Sequence, residues 1–243
     1  MQFVVLLASL LGGDNVALAA GDHFSVYAST QSVADAVLQD AETAAKQISQ
    51  ELFGKDSQFE LSRTIIYVRP GSDEDYGKSV LRSSKREANI VWLYTIDTLP
   101  EESTMRHELV HCALASRFRG KLPTFIHEGL AAKYDAGVRR RIQSQMVDKL
   151  ARTKRWVALS ELMKSEQFDL SDARQYATSM AFVQFLLSEG DQQKLFQFGV
   201  SGNTSRNWTS ALADAYDIPS INNLEQRFHR WTRQHLIAAR PNR

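Results

Sequence analysis

Two histidines and a glutamate lie close together in residues 107–111, which read HELVH. On a helix, residues four apart project from the same face about one turn apart, so the imidazoles of His107 and His111 can reach a single ion. Glu108 follows His107 directly. Its carboxylate is therefore expected beside the ion without being a ligand, where it can accept a proton from water. The spacing predicts a metal site with a general base next to it.

A third metal ligand is expected after His111, because a catalytic zinc ion has three protein ligands and one open position. Residues 123–131, PTFIHEGLA, offer the adjacent candidates His127 and Glu128. Neighbouring residues on a helix point about 100° apart, so only one of them faces the site, and we favour Glu128. The predicted set is then two histidines and one glutamate around a single Zn²⁺, a combination that catalytic zinc sites use.

Zinc lowers the pKa of a coordinated water to about 7, which supplies a nucleophile at neutral pH once Glu108 takes the proton. A purely structural zinc is disfavoured, since structural sites usually have four ligands rich in cysteine and this chain has one cysteine, Cys112. Cys112 lies one residue off the helical face of His111. We therefore expect it to be a buried core thiol.

A metal-activated water that attacks a carbonyl group would also need a hydrogen-bond donor for the oxyanion that forms. Tyr176 is the candidate donor, and we predict that it is a catalytic residue. The alternative is that Tyr176 is a core residue, because it shares a helical face with Met180 and Val183. His229 and Arg174 are weaker candidates for the same role.

The elements that position these residues are predicted from the hydrophobic pattern. Strands are expected where β-branched and aromatic residues alternate or cluster, at residues 24–29, 59–68 and 90–95. Apolar residues at three- and four-residue intervals predict a helix over 33–52 that ends at Gly54. A polar loop is expected between the second and third strands, and a helix over about 98–118 is expected to carry HELVH.

The second half of the chain is predicted to be all helical. Gly120 and Pro123 give stop and restart signals, so a helix over about 124–134 carries Glu128. Further helices are predicted at roughly 138–152, 158–163, 173–188, 191–198, 207–215 and 219–237. The predicted fold class is α+β: a small N-terminal β-sheet with a packed helix over about 21–120, and a helical half over about 121–243.

The charge balance excludes some partner classes. Lys and Arg number 29 and Asp and Glu number 28, so no overall field favours nucleic acid. Two basic stretches, residues 139–155 and 227–243, are interpreted as solvated helix faces, with a nucleic-acid or envelope-surface patch as the alternative. No segment reaches the length of about 20 apolar residues that membrane insertion requires.

The first twenty residues have the features of a secretory signal peptide. Residues 3–11 are apolar and residues 17–20 offer a small-residue cleavage site before Gly21, although Gln2 stands where a basic residue is usual. We therefore predict an exported protein, periplasmic or extracellular if the host is bacterial. Residues 21–243 would be the mature domain.

The two metal-binding segments resemble the gluzincin metallopeptidases, specifically the peptidase MA-like domain family. The family pattern is HExxH followed by Pro-x-aromatic-x-x-Glu-Gly-x-Ala, which matches residues 107–111 and 123–131 here. Residues 156–163 and 176–187 are similar to two helices that follow in the family. The resemblance covers about residues 23–237, and its specific part is the pair of metal-binding segments.

This resemblance implies a zincin-like fold, one zinc ion and hydrolysis of peptide bonds. His107, His111 and Glu128 would be the ligands and Glu108 the base, and the partner would be a peptide or protein substrate. Two positions depart from the family: Phe125 replaces the usual Trp, and Ala132 stands where a carboxylate supports the site in thermolysin-like members. The rival hypothesis is an inactive zincin-like binding or scaffold module of the cell envelope, and the intact Glu108 argues against it.

Overall fold

A computed structural model describes residues 16–55, 61–82, 87–169 and 171–237. The chain divides into two units, Met1–Arg119 and Gly120–Arg243. In the described residues, the first unit contains a mixed five-stranded sheet and two helices, and the second unit is helical. The α+β class predicted from the sequence is therefore confirmed.

The sheet of the first unit has the strand order β1-β2-β3-β5-β4. β2, β3 and β5 are parallel to one another, whereas β1 and β4 are antiparallel to their neighbours and lie at the edges of the sheet as far as the structure describes it. The strands are β1 Ala17–Ala20, β2 Phe24–Ala28, β3 Thr64–Pro70, β4 Tyr76–Val80 and β5 Asn89–Thr95, and the helices are α1 Gln31–Phe53 and α2 Glu102–Phe118.

Helix α1 follows the predicted pattern closely. Thr30 accepts a hydrogen bond from the Val33 N–H at 3.3 Å and so caps the first turn. Gly54 ends the helix with a φ of 89°, a conformation that suits glycine. The buried side chains of α1 are apolar, and the helix packs against β1, β2 and α2. This burial builds the core on one side of the sheet.

The prediction of a polar loop between the second and third predicted strands is wrong in part, because this segment contains strand β4, Tyr76–Val80. Among the described strands, β4 pairs with β5 alone, and its side chains stay partly exposed and lack a strong apolar signal. Two boundaries also differ: β3 begins at Thr64, and α2 begins at Glu102. Residues 56–60, where the β3 prediction began, lie outside the described residues.

Residues 17–20, where the sequence predicts a signal-peptide cleavage site, form strand β1. β1 pairs antiparallel with β2, and Ala19 is buried. The apolar run of residues 3–11 lies outside the described residues. Export stays a prediction.

The second unit contains seven helices in its described part. They are α3 Thr124–Ala131, α4 Gly137–Thr153, α5 Leu159–Leu162, α6 Ala173–Glu189, α7 Gln192–Ser205, α8 Trp208–Tyr216 and α9 Ile221–Thr232, with a 3-10 turn at Ala132–Tyr134 and a π-helical turn at Arg233–Ile237. Phe125 lies at the centre of an aromatic core, with ring centroids 5.3 Å from Phe182, 6.3 Å from Phe198 and 6.1 Å from Trp208.

Helix α7 runs seven residues beyond its predicted end at 198. The prediction stopped early because Gly199 and Gly202 interrupt the apolar pattern. Both glycines allow close packing instead: a Cβ at Gly199 would clash with Ile126, and one at Gly202 would clash with the Trp208 ring. Within the described residues, no helix combines the length and apolar character needed to cross a membrane.

Candidate metal centre

Helix α2 places the two histidines of HELVH side by side. Glu102 occupies the first turn, where a carboxylate is favourable, and binds Arg106 at 2.8 Å. His107 and His111 are one turn further on and are buried, at 2% and 6% exposed. Their Nε2 atoms are 3.2 Å apart. The helix therefore brings two imidazole nitrogens to one buried point.

The 3.2 Å separation fits a shared zinc ion. Zinc lies about 2.0–2.1 Å from each histidine nitrogen, and a tetrahedral angle then sets the two nitrogens about 3.3 Å apart. The observed distance is close to this value.

Glu128 of helix α3 belongs to the same group of potential ligands. One ligand atom from each of His107, His111 and Glu128 lies within 4.8 Å of the other two. These three residues can hold a metal ion, and both histidines are buried while Glu128 is half-buried.

His127, the rival ligand, is not part of this group. His127 is buried, and this burial lowers the pKa of its imidazole to about 4. The ring is therefore neutral at pH 7. The three residues that the sequence favoured as ligands are thus the ones that form the potential metal-binding group.

Helix α3 is held by close contacts within the second unit. Gly129 lies against helix α6, where a Cβ would meet the Val183 side chain and would be 2.7 Å from the Ser179 carbonyl oxygen. Phe125, one turn before Gly129, is fully buried in the aromatic core. The Thr124 hydroxyl donates a hydrogen bond to the Glu166 carbonyl at 2.6 Å. These contacts fix the helix that carries Glu128.

The carboxylate of Glu108 lies against strand β4. A Cβ on Gly77 would be 2.6 Å from Glu108 Oε1 and 2.8 Å from its Cδ, so only glycine leaves this space free. Glu108 is 4% exposed. The sequence did not single out Gly77, because nothing in the sequence around it reveals a contact with residue 108.

Cys112 is fully buried on α2, which confirms the expected core thiol. Burial raises the pKa of the thiol, and the nearby Glu108 carboxylate raises it further, while a hydrogen bond with Thr64 acts in the opposite direction. The thiol is therefore protonated and unreactive at neutral pH.

The three candidate donors for the oxyanion, Tyr176, Arg174 and His229, lie on helices of the second unit. Tyr176 is half-buried on α6 and its ring meets Phe168 edge-on, with centroids 5.3 Å apart. Its catalytic role stays a prediction. Arg174 pairs with Asp172 at 2.7 Å, and His229 lies on α9 in a basic pocket of the second unit.

Comparison with known proteins adds no assignment: no family model matches the chain, and no curated protein matches it.

Proposed function

We propose that this protein is a zinc-dependent metallopeptidase of gluzincin type with a zincin-like fold. The proposal is supported by the group of His107, His111 and Glu128, in which the two histidine nitrogens are 3.2 Å apart. Both histidines lie on the helix that also carries the buried Glu108. Three protein ligands of this type leave a fourth zinc position open for chemistry. Export, which the first twenty residues favour, belongs to the same proposal.

Zinc, when bound by these ligands, would polarise the substrate carbonyl and lower the pKa of water beside it. Glu108 performs the proton transfers: it accepts a proton from the attacking water and passes it to the leaving amine. Its burial keeps bulk water away from the carboxylate, which strengthens its electrostatic interactions during the reaction. Tyr176 is the candidate donor for the oxyanion.

Strand β4 supports a peptide as the substrate. Within the described residues, β4 pairs with β5 on one side only, so the backbone groups on its other edge are available to another strand. An extended peptide can add to such an edge through main-chain hydrogen bonds. Because Gly77 of β4 lies against Glu108, a peptide on this edge would run close to the general base.

The test compares the zinc-loaded protein with its Glu108→Gln variant. A substrate is first found by screening a peptide library with the wild-type protein and detecting cleavage by mass spectrometry. We expect Glu108→Gln to keep one zinc per chain and to lose about 10²–10⁴-fold in kcat, since the amide cannot accept the proton.

Glu102→Gln is the matched control, because Glu102 is an exposed carboxylate on the same helix and pairs only with Arg106 among the described residues. It should retain the wild-type rate. Full activity in zinc-loaded Glu108→Gln would contradict the mechanism. A wild-type protein that binds zinc and cleaves no peptide in the library would favour the binding-module hypothesis instead.

A further inference from the structure

A basic pocket of about 360 Å³ lies in the second unit, where the end of helix α4 meets helix α9. Gln226, His229, Arg230 and Arg233 line it from α9 and the π-helical turn that follows. Their spacing of three and four residues places them on one helical face. Lys154, the left-handed C-cap residue of α4, lines it from the other helix.

The pocket unites the two basic stretches of the sequence. Lys154 comes from the first stretch, and Arg230 and Arg233 come from the second. In the described part of the chain, none of these three cations forms a salt bridge. Arg206 and Arg227 behave differently, since each pairs with a glutamate. The positive charges at the pocket are therefore not neutralised by ion pairs of the kind that other arginines of this unit form.

The charged groups of the lining favour an anionic ligand. No acidic residue is among the described residues that line it, and its buried members are the small Ala151 and Thr232. The Thr232 hydroxyl already donates to the His229 carbonyl at 3.1 Å. The groups that remain available to a ligand are thus mainly the cationic side chains and the Gln226 amide.

The imidazole of His229 is close enough to the pocket cations to be affected by their charge. Burial is the main cause that lowers its pKa, the Glu225 carboxylate raises it, and the Arg233 and Lys154 cations each lower it by less. Glu225 also accepts a hydrogen bond from the Leu159 N–H at 3.1 Å. A bound anion would relieve the repulsion that His229 experiences on protonation.

We infer that this pocket binds a ligand carrying a phosphate group, held by Arg230, Arg233 and Lys154. Guanidinium groups match phosphate oxygens with paired hydrogen bonds, and lysine adds a point charge. Water accounts for about 30 Å³ per molecule, so the pocket has room for more than one phosphate group. The phosphate can belong to a small phosphorylated molecule or to a lipid headgroup, and the experiment separates these sources.

The experiment titrates the full-length protein with inorganic pyrophosphate at constant ionic strength. Binding is followed by calorimetry and by the NMR signals of His229. We expect saturable binding and a rise in the pKa of His229. The variant Arg230→Gln/Arg233→Gln should bind at least about tenfold more weakly, because charge-assisted hydrogen bonds are lost.

The matched control is Arg206→Gln/Arg227→Gln, which removes the same charge from two arginines of this unit that do not line the pocket. It should bind pyrophosphate within about twofold of the wild type. A parallel arm measures binding to phosphatidylcholine vesicles with and without phosphatidylglycerol.

Pyrophosphate binding that depends on Arg230 and Arg233 supports a small phosphorylated ligand. Binding only to the phosphatidylglycerol vesicles, with the same dependence, supports a lipid headgroup. The inference is overturned if neither probe binds, or if the control variant weakens binding as much as the pocket variant does. None of these outcomes depends on the proposed peptidase activity.

Discussion

The Glu108 carboxylate occupies the space in which a side chain at Gly77 would lie. Gly77 belongs to strand β4, and Glu108 belongs to the helix that carries both of the histidines that we propose as ligands. This contact joins the proposed general base to the strand that we propose as the peptide-binding edge. It also gives Gly77 a positioning role that can be tested separately from zinc binding.

Replacing Gly77 with alanine should displace Glu108 while leaving the zinc ligands in place. The new Cβ would clash with the carboxylate, and a misplacement of about 1 Å in an active site can cost about 10²-fold in rate. We expect kcat to fall by that order, with one zinc per chain retained. Steady-state kinetics and elemental analysis of the same samples check this.

Ser79→Ala is the control for this substitution, because position 79 is the next residue on the same face of β4. It should preserve activity. Unchanged kcat in Gly77→Ala would show that the base does not depend on this contact, and loss of zinc would show that the change disturbs the ligands as well.

The packing of α3 on α6 predicts that Gly129→Ala destabilises the protein. The added methyl would clash with the Val183 side chain and would lie 2.7 Å from the Ser179 carbonyl oxygen. Overpacking of this kind costs about 1–3 kcal/mol in the free energy of unfolding. Urea denaturation of the metal-free protein measures the loss.

A double-mutant cycle with Val183→Ala tests the origin of that loss. Removing the Val183 methyl groups relieves the side-chain clash but not the contact with Ser179. The double variant should therefore be more stable than the sum of the single changes predicts, by at least about 0.5 kcal/mol. Strict additivity would contradict the contact between Gly129 and Val183.

The lowered pKa of His229 predicts a pH-dependent contribution to stability. Burial, Arg233 and Lys154 all disfavour the protonated imidazole in the folded state, and Glu225 only partly offsets them. The unfolded chain has the ordinary histidine pKa of about 6.5, so it binds more protons than the folded chain as the pH falls through that value. The stability associated with neutral His229 is present above that pH and is lost below it.

His229→Gln should remove this part of the pH dependence. The free energy of unfolding of the metal-free wild type should decline more steeply between pH 7.5 and pH 5 than that of the variant. Chemical denaturation at several pH values gives both curves. Parallel curves would mean that the pKa of His229 is the same in the folded and unfolded states.

The sequence predicted the elements that have strong periodicity. Helix α1 was found because its apolar residues repeat along one face and Gly54 ends it. The HELVH segment predicted both a helix and its ligand face from a spacing of four residues. Local geometry showed only that one of His127 and Glu128 can face the site, since adjacent helical residues point in different directions. The preference for Glu128 rested on the set of two histidines and one glutamate that catalytic zinc sites use.

What the sequence could not predict depends on contacts between distant segments. Strand β4 has a weak apolar pattern because it lies at an edge of the described sheet. Its relation to the candidate site is visible only from the contact between Gly77 and Glu108. The predicted end of helix α7 was too early because Gly199 and Gly202 resemble a helix end in the sequence. Their packing against Ile126 and Trp208 is known only from the structure. The basic pocket likewise joins Lys154 to residues more than seventy positions later in the chain.

We propose that His107, His111 and Glu128 hold one zinc ion. The most direct measurement is the metal content of the purified protein and of its Glu128→Ala and His127→Ala variants, by elemental analysis after dialysis against metal-free buffer and again after zinc is supplied. His127→Ala is the matched control, because His127 is adjacent to Glu128 and does not belong to the ligand group.

We predict about one zinc per chain in the wild type and in His127→Ala, and a large loss of zinc in Glu128→Ala. Loss of zinc in His127→Ala with retention in Glu128→Ala would contradict the ligand assignment. A wild-type protein that binds no zinc even when zinc is supplied would contradict the metallopeptidase proposal itself.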